Sequence, residues 1–363
     1  MSLEERLRQR IQREGPITFC EWMKAALYDE REGYYCANRV RQGRAGDYRT
    51  APELSPLFGG AFAYYFMKAY FDLGAPKEWT IVEVGGGPGD FAHDVLASLK
   101  RNFPNIFAAT QYVIDELSID AQSQAITKLA EFKDHVQVRS IAEISEPFPN
   151  AIIFSNELLD AFPIHRAIGR RGKLKELCVG LGDRDDFIWV ETELSPSVAE
   201  YCERIQLRLN EGQVFEVNLG VEDFVRSVAL LLERGLLITV DYGAARNDLL
   251  NDPNRFAGTL RRFHRHRLGD DVLLHPGEQD LTTTIDWTQM IEAGERNGFE
   301  RVRLQRLDQF LLAEGALEEM QKAAAAAISS QADLFNFNAG ARELIMPDGL
   351  ATSFQVLVQR KRS

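Results

Sequence analysis

The feature that most constrains the fold is a glycine cluster between a short apolar run and a helical pattern, in TIVEVGGGPGDFAHDVL at residues 80–96. The apolar run predicts a strand, and the residues after Gly89 predict a helix. Glycines let a backbone adopt left-handed dihedrals and approach a ligand closely, and the free N–H groups of the first helical turn face that ligand. The segment therefore predicts a nucleotide-like ligand at a strand–turn–helix junction.

Two ligand classes fit the spacing of this turn. Gly87, Gly89 and Ala92 match the dinucleotide pattern Gly-x-Gly-x-x-Ala, whereas Glu83, Gly85, Gly87 and Gly89 match the acid-x-Gly-x-Gly-x-Gly turn of methyltransferases. S-adenosylmethionine carries a cationic amino-acid tail and no pyrophosphate. A carboxylate at Glu83 suits that tail, directly or through water, and would repel a pyrophosphate. The acid therefore favours S-adenosylmethionine, with a ligand-free tight turn as the remaining interpretation.

A second acidic strand end follows one strand–helix–strand unit later, in QYVIDELS at residues 111–118. An acid at the tip of the second strand accepts hydrogen bonds from the ribose hydroxyls of a bound nucleoside. Glu116 is the first candidate for that position and Asp115 the second. The alternative is a solvated carboxylate favoured by a helix dipole.

Composition narrows the class of protein. The 363 residues are 45% hydrophobic, and no stretch reaches the ~18 uncharged apolar residues that cross a membrane. The net charge of −12 disfavours nucleic-acid binding, and four scattered cysteines indicate neither a zinc site nor a disulfide framework. The first fifteen residues combine acids with arginines and apolar residues at helical spacing, unlike a signal or transit peptide. We therefore expect a cytoplasmic protein without a bound metal. The sequence does not decide between a monomer and a homodimer.

From residue 80 onward, strands and helices alternate, which predicts an α/β fold with a seven-stranded Rossmann-like sheet. A helical N-terminal extension and lid is predicted over 1–55, and a methyltransferase core over 56–363 with insertions at about 165–220 and 310–350. The first insertion is predicted to be a β-hairpin and the second to be helical. The parallel strands are expected near residues 80–84, 110–116, 135–139, 151–155 and 235–241, and two antiparallel strands, FERVRLQRL and SFQVLVQRK, complete the sheet.

The segment SNELLDAFPIH at residues 155–165 follows the fourth strand and offers the catalytic candidates. Ligands bind beyond the carboxyl ends of parallel strands, so Asn156, Glu157 and Asp160 are expected at the site. Carboxylates bind a guanidinium bidentately and localise its positive charge away from the reacting nitrogen. Glu157 suits that role, with Asp160 or His165 as a helper base. The alternative is that Asn156 or Asp160 caps a following helix.

A long polar segment at residues 258–287 follows the fifth strand. His266 is the functional histidine that we favour there, facing the cleft. His264-x-His266 could hold a metal, but no third ligand at a fixed spacing accompanies it, and no metal is expected.

Read together, these segments resemble the MidA family, which contains the mitochondrial complex I assembly protein-arginine methyltransferase and its bacterial relatives. The matching motifs run over roughly residues 17–287: ITFCEWMKAALYDEREGYY, GDYRTAPELSPLFG, VEVGGGPGDF, NELLDAFPIH, VDYG, GTLRRFHRHR and PGEQDLTTTIDW. The resemblance implies a class I methyltransferase fold that uses S-adenosylmethionine. For the mitochondrial member, it implies symmetric dimethylation of an arginine on a complex I subunit.

When the family's motifs are matched to this sequence, the resemblance implies that Gly85, Gly87 and Gly89 lie in the cofactor turn and that Glu116 lies at the ribose position. GDYRTAPE corresponds to the family's GDF-x-T-x-PE motif, which adds Thr50, Pro52 and Glu53 to the cofactor-binding candidates and includes Asp47. The turn reads Gly-Gly-Gly where the family usually has Gly-Pro-Gly. The leading hypothesis is a methyltransferase that acts on a protein side chain, with arginine as the acceptor that the acids favour.

Two other hypotheses stay open at this point. One is an assembly factor that keeps the cofactor pocket but catalyses little. The other is an NAD(P)-dependent oxidoreductase, which depends only on the spacing of Gly87, Gly89 and Ala92.

Overall fold

A computed structural model describes residues 1–36, 51–264, 267–269, 271–325 and 331–362. Its central sheet has seven strands, labelled in chain order: β1 Trp79–Val84, β2 Thr110–Asp115, β3 Val136–Val138, β4 Ala151–Asn156, β5 Gly235–Asp241, β6 Phe299–Arg306 and β7 Gln355–Lys361. The spatial order is β3-β2-β1-β4-β5-β7-β6, and β7 runs antiparallel to both of its neighbours. The predicted α/β sheet, including its antiparallel end, is confirmed.

Alternate residues of the strands enter two separate apolar cores. In β4, Ile152 and Phe154 face one core, whereas Ala151 and Ile153 face the other. This burial on both faces explains why the parallel strands are continuous apolar runs in the sequence. Phe58, Phe62 and Phe66, on the helix at residues 57–72, are fully buried in the first core.

Helices cover both faces of the sheet. The first core is covered by Leu57–Asp72, Asp90–Asn102 and Leu307–Glu314, and the second by Gly220–Leu231 and Trp287–Arg296. The remaining helices are Leu3–Glu14, Phe19–Tyr28, Ala51–Leu54, Pro104–Ala109, Ile119–Lys128, Pro196–Arg204, Arg246–Asn251, Ala316–Ala325 and Gln331–Ile345. Within the described residues, no helix is long and apolar enough to cross a membrane.

The predicted hairpin after β4 is part of a larger antiparallel sheet, which we call the insertion sheet. It consists of Ile17–Thr18, His165–Arg170, Lys173–Leu181, Phe187–Thr192 and Val214–Val217. The first and last of these strands were not predicted, because two and four residues are too few to show alternation. Helices Leu3–Glu14 and Phe19–Tyr28 pack against this sheet through Leu3, Ile11 and Trp22.

The polar segment after β5 contains short strands rather than a simple loop. Arg261–His264 pairs with both Arg267–Gly269 and Asp280–Thr282, and Gly243–Ala244 pairs with Ile285–Asp286. The backbone of Thr283 donates to the carbonyl of Asp160 at 2.9 Å. The segment is thereby anchored beside the carboxyl end of β4.

Candidate active site

The glycine turn follows β1 at the carboxyl edge of the sheet. Gly85, Gly87 and Gly89 have φ values of +73°, +53° and +83°, which L side chains rarely adopt. Gly85 is exposed, and a Cβ there would lie 3.0 Å from Leu158 Cδ1. Gly89 is the N-cap of helix Asp90–Asn102, and no side chain caps that helix end. The turn thus presents open backbone and uncapped helical N–H groups.

Glu116 lies directly over this turn. Its Oε2 accepts a hydrogen bond from the Gly87 N–H at 2.9 Å, and its Oε1 accepts one from the Ser118 N–H at 2.7 Å. Asp115 contributes its backbone instead, since its carbonyl accepts from the Gly85 N–H at 2.8 Å. The Asp115 carboxyl accepts from the backbone of Ile141, and burial raises its pKa to about 6. Of the two acids, Glu116 is the one whose carboxylate faces the turn.

Glu83 lies on the inner side of the turn. Its carboxyl is buried and accepts a hydrogen bond from the Tyr112 hydroxyl at 2.8 Å. A Cβ at Gly86 would lie 3.3 Å from its Cδ, so the turn folds over it. Burial raises the pKa of Glu83 to about 8, and the nearby Asp90 and Glu116 carboxylates add to the rise. The Glu83 carboxyl is therefore neutral at pH 7 and supports the turn from inside the protein. This placement differs from direct pairing with the cationic tail of S-adenosylmethionine.

Glu83→Gln is expected to reduce the loss of stability with rising pH. A carboxyl whose pKa is about 8 in the folded protein and about 4.5 when unfolded gives stability that is complete below pH 4.5 and lost as pH rises to 8. Glutamine keeps an oxygen for Tyr112 and does not ionise. Between pH 5 and pH 8, the Tm of the variant should fall about 4 °C less than that of the parent. Equal falls, measured by circular dichroism, would contradict this placement.

The tip of β4 bends out of the sheet at Glu157. Its φ is +48°, a left-handed conformation that costs a non-glycine residue roughly 1 kcal/mol. The backbone is held there because the Glu157 N–H donates to the Val240 carbonyl at 2.9 Å. The Glu157 carboxyl accepts from Asn156 Nδ2 at 3.1 Å and from the backbone N–H of Ala51. Such strain in a non-glycine residue is typical of functional sites.

Asp241, at the tip of β5, fixes the segment that follows Glu157. Its two carboxylate oxygens accept hydrogen bonds from the backbone of Leu159, Asp160 and Tyr242 at 3.0, 3.3 and 2.8 Å. Burial raises the pKa of Asp241 to about 7, and the Glu157 charge raises it further against these hydrogen bonds. The sequence did not indicate this positioning role, because Leu159 and Asp160 lie more than 80 residues from Asp241 in the chain.

Several carboxyl groups converge at this edge. Asp160 is 4% exposed, and burial together with Asp241 and Asp280 raises its pKa well above its usual range. Burial also raises the pKa of Glu157 to about 8, with Asp160 and Glu53 as additional causes. Burial is the largest cause of both rises; the neighbouring carboxylates add to them, and Arg261 opposes the rise at Asp160. A cation entering the site would restore the charge of these carboxyl groups.

The capping alternative for Asn156 and Asp160 is wrong. The element after Glu157 is a short 3₁₀ turn, Leu159–Ala161, whose N-cap is Leu158, and no side chain caps it. Asn156 instead donates to Glu157, and Asp160 lies beside Asp241.

Other predicted residues fall in different places. Pro52 and Glu53 lie in helix Ala51–Leu54, next to Glu157. Thr50 and His266 lie outside the described residues, as does Asp47. His165 bonds to Glu176 in the insertion sheet. Burial lowers its pKa, but hydrogen bonds to Cys20 and Glu176 outweigh that effect and raise it to about 9, so it is protonated at pH 7 and cannot act as the helper base.

Tyrosines from the N-terminal segment also reach the site, which the sequence did not indicate. The Tyr28 hydroxyl donates to the Ala161 carbonyl at 3.0 Å, and the Tyr35 hydroxyl donates to Asp280 Oδ1 at 2.7 Å. Tyr28 is the last residue of helix Phe19–Tyr28. Helical spacing predicts that helix, but nothing in it shows where the end of the helix packs.

The turn and its acids fit a nucleoside. The open Gly85 backbone and the uncapped start of helix Asp90–Asn102 accommodate a closely bound ligand, and Glu116 is placed to accept from ribose hydroxyls. The strand order 3-2-1-4-5-7-6, with the glycine turn after β1, is the arrangement of class I methyltransferases, which use S-adenosyl-L-methionine.

Comparison with known proteins identifies the family. A family described as an S-adenosyl-L-methionine-dependent methyltransferase matches residues 61–305, and the chain belongs to it, in agreement with the MidA resemblance. The NAD(P)-dependent interpretation of the turn is therefore wrong.

Named relatives and a solved structure agree with this assignment. The chain is 26% identical over 328 residues to the mitochondrial protein arginine methyltransferase NDUFAF7 homolog of Drosophila melanogaster, covering 82% of this chain and 71% of that protein. It is 23% identical over 306 residues to the Homo sapiens protein, covering 78% and 67%. A crystal structure from Burkholderia thailandensis, bound to S-adenosyl-homocysteine, superposes with a TM-score of 0.85 at 26% identity, over 99% of this chain and 92% of that chain.

Proposed function

We propose that this methyltransferase methylates the guanidinium group of an arginine in a protein. The observation that carries the proposal is the group of carboxyls around Glu157, beside the glycine turn. The relatives named as protein arginine methyltransferases support it. The net charge of −12 also favours encounters with basic protein segments.

The carboxyl groups suit a planar cation. Glu157 and Glu53 lie near enough for the charge of one to raise the pKa of the other, and Asp160 acts on Glu157 in the same direction. A guanidinium placed among them can bind two carboxylate oxygens in parallel, which a point-like ammonium cannot do. The cation would lower the pKa of these acids and release protons on binding. The site is thereby matched to arginine more closely than to lysine.

The same contacts assist methyl transfer. The cofactor supplies a methyl group on a positively charged sulfur. Glu157 would hold two guanidinium N–H groups, which orients the third nitrogen and draws the positive charge toward the carboxylate. The nitrogen lone pair forms the new N–C bond as the C–S bond breaks, and the nitrogen loses one proton. An ionised acid of the cluster, or water, takes that proton.

The pH dependence of kcat/KM should report Glu157. Because its pKa in the free protein is about 8, the carboxylate form is the minor one at pH 6 to 7. We expect kcat/KM for an arginine-bearing substrate to rise about tenfold per pH unit up to about pH 8 and then level off. The guanidinium itself does not titrate in this range. A profile that is flat from pH 6 to pH 9 would contradict the role of Glu157.

The acceptor residue can be identified by amino-acid analysis. Lysate protein is incubated with the enzyme and cofactor labelled on its methyl group, then hydrolysed in acid. We expect label in methylated arginine and background levels in methylated lysine and histidine. Label confined to another amino acid would overturn the proposal, while leaving the enzyme a methyltransferase.

A further inference from the structure

A cavity lies at the amino edge of the parallel strands, opposite to the edge of the sheet that carries the glycine turn. It encloses about 380 Å³, a volume typical of small-molecule sites. The start of β5, the end of β7 and the last turns of helix Leu57–Asp72 form its walls. Five of its ten described lining residues are basic and one is acidic, so we call it the basic cavity. The basic residues are Lys68, Arg234, Arg360, Lys361 and Arg362, and the acidic one is Asp72.

Strand pairing brings these basic residues together. β5 and β7 are antiparallel neighbours, and their register sets Gly235 opposite Lys361 and Leu236 opposite Arg360. Arg234 directly precedes β5, so it lies beside the last residues of β7. The sequence does not show this cluster, because its members come from three segments that are far apart in the chain.

Two of the positive charges have no carboxylate partner within the residues that the structure describes. Arg234 donates from Nη2 to the Leu73 carbonyl at 2.7 Å and from Nε to Asn150 Oδ1 at 3.1 Å. Lys361 donates from Nζ to the Ala229 carbonyl. These acceptors are neutral, so they fix the two side chains without neutralising them.

The other three basic residues form ion pairs. The pairs are Lys68 with Glu314 at 2.9 Å, Arg362 with Glu300 at 3.0 Å and Arg360 with Asp72 at 3.5 Å. The last distance is longer than that of a normal charge-assisted hydrogen bond, so an incoming anion can compete with Asp72 for the Arg360 guanidinium. The cavity thus keeps a surplus of positive charge in a chain whose net charge is −12.

The remaining wall of the cavity is apolar and well packed. Ala69, Leu73 and Leu236 line it and are themselves buried. Tyr65 is half-buried, and its ring packs edge-on against Phe310 with 5.0 Å between the ring centroids. An apolar wall beside a few fixed charged groups is typical of sites for small organic ligands.

We propose that the basic cavity binds a small phosphate monoester with an aromatic or apolar body. Such a phosphate carries a charge of about −1.5 to −2 at pH 7, which matches the unpaired Arg234 and Lys361. A guanidinium group can bind two phosphate oxygens in parallel, and Arg234 and Arg360 each provide one. A carboxylate, with one charge, would leave one of the two cations uncompensated. The site goes beyond the proposed methyl transfer and requires neither the methyl donor nor the acceptor.

The test is isothermal titration calorimetry of the full-length protein with phenyl phosphate at pH 7.5. S-adenosylhomocysteine is present at saturation, so that the glycine turn cannot bind the probe. We expect one-to-one binding of phenyl phosphate. Inorganic phosphate and benzoate should each bind at least tenfold more weakly, because the first has no ring to contact the apolar wall and the second has only one charge.

Variants place the probe in the cavity. Arg360→Gln and, separately, Arg234→Gln should each weaken phenyl phosphate binding at least tenfold. Arg13→Gln is the matched control, because Arg13 is an exposed arginine of helix Leu3–Glu14, and it should keep the parent affinity. Arg360 is about one-third exposed, so its replacement should not prevent folding, and circular dichroism checks each variant.

Three results would overturn the proposal. They are a lack of saturable phenyl phosphate binding at millimolar concentration, an affinity for inorganic phosphate equal to that for phenyl phosphate, and parent affinity in the folded Arg360→Gln variant. None of them bears on methyl transfer, which is measured separately with labelled cofactor.

Discussion

Glu157→Gln is expected to lower kcat for methyl transfer at least 100-fold, while the Kd for S-adenosylhomocysteine changes less than threefold. Glutamine is nearly isosteric and can still accept from Asn156 and Ala51. It cannot provide the negative charge that orients a guanidinium, and truncating one partner of such a charge pair costs ~3 kcal/mol. Labelled methyl transfer under saturating cofactor, together with calorimetry of cofactor binding, measures the two effects separately.

The matched control is Glu78→Gln. Glu78 is exposed and directly precedes β1, at the opposite end of the sheet from the glycine turn. The control should keep full kcat and full affinity. If Glu157→Gln retained more than a third of the parent kcat, Glu157 would not hold the acceptor.

Glu116→Ala is expected to weaken S-adenosylhomocysteine binding about 30-fold, equivalent to ~2 kcal/mol. The variant loses charge-assisted hydrogen bonds to the ribose and also the contact that holds the Gly87 N–H in the free protein. The affinity of Glu116→Gln for S-adenosylhomocysteine should lie between those of the parent and Glu116→Ala, because glutamine keeps one acceptor oxygen. Isothermal titration calorimetry at one pH and salt concentration gives the three dissociation constants.

Asp115→Asn provides the comparison for Glu116. It changes the adjacent acid, whose carboxyl bonds to the Ile141 backbone rather than to the turn. We expect its affinity to stay within threefold of the parent. If Asp115→Asn lost more affinity for S-adenosylhomocysteine than Glu116→Ala, Asp115 rather than Glu116 would be the acid that binds the ribose.

The sheet was predictable because its evidence is local. Buried parallel strands such as β4 and β5 are continuous apolar runs that end in polar residues, and the glycines after β1 mark a turn with unusual dihedrals. The two-residue strand Ile17–Thr18 was not predictable. Its pairing with Cys178 and Val179 depends on a segment about 160 residues away.

The position of several predicted site residues at one edge of the sheet could be predicted from the sequence, but their geometry could not. Sequence order puts Glu83 and Glu157 at strand ends, and topology brings strand ends to one edge. Sequence order does not reveal that the Glu83 carboxyl is buried and hydrogen-bonded to the Tyr112 hydroxyl. Nor does it reveal the left-handed backbone of Glu157, since that conformation is imposed by the Val240 carbonyl on the adjacent strand.

The carboxyls beside the glycine turn are proposed to bind an arginine of a protein substrate. The most direct measurement adds the enzyme and methyl-labelled S-adenosylmethionine to a lysate from a strain lacking this protein, and locates the label by tandem mass spectrometry. We predict labelled arginine at one or a few protein sites, absent when Glu157→Gln replaces the parent enzyme. Label on other side chains or on small molecules, with no labelled arginine, would contradict it.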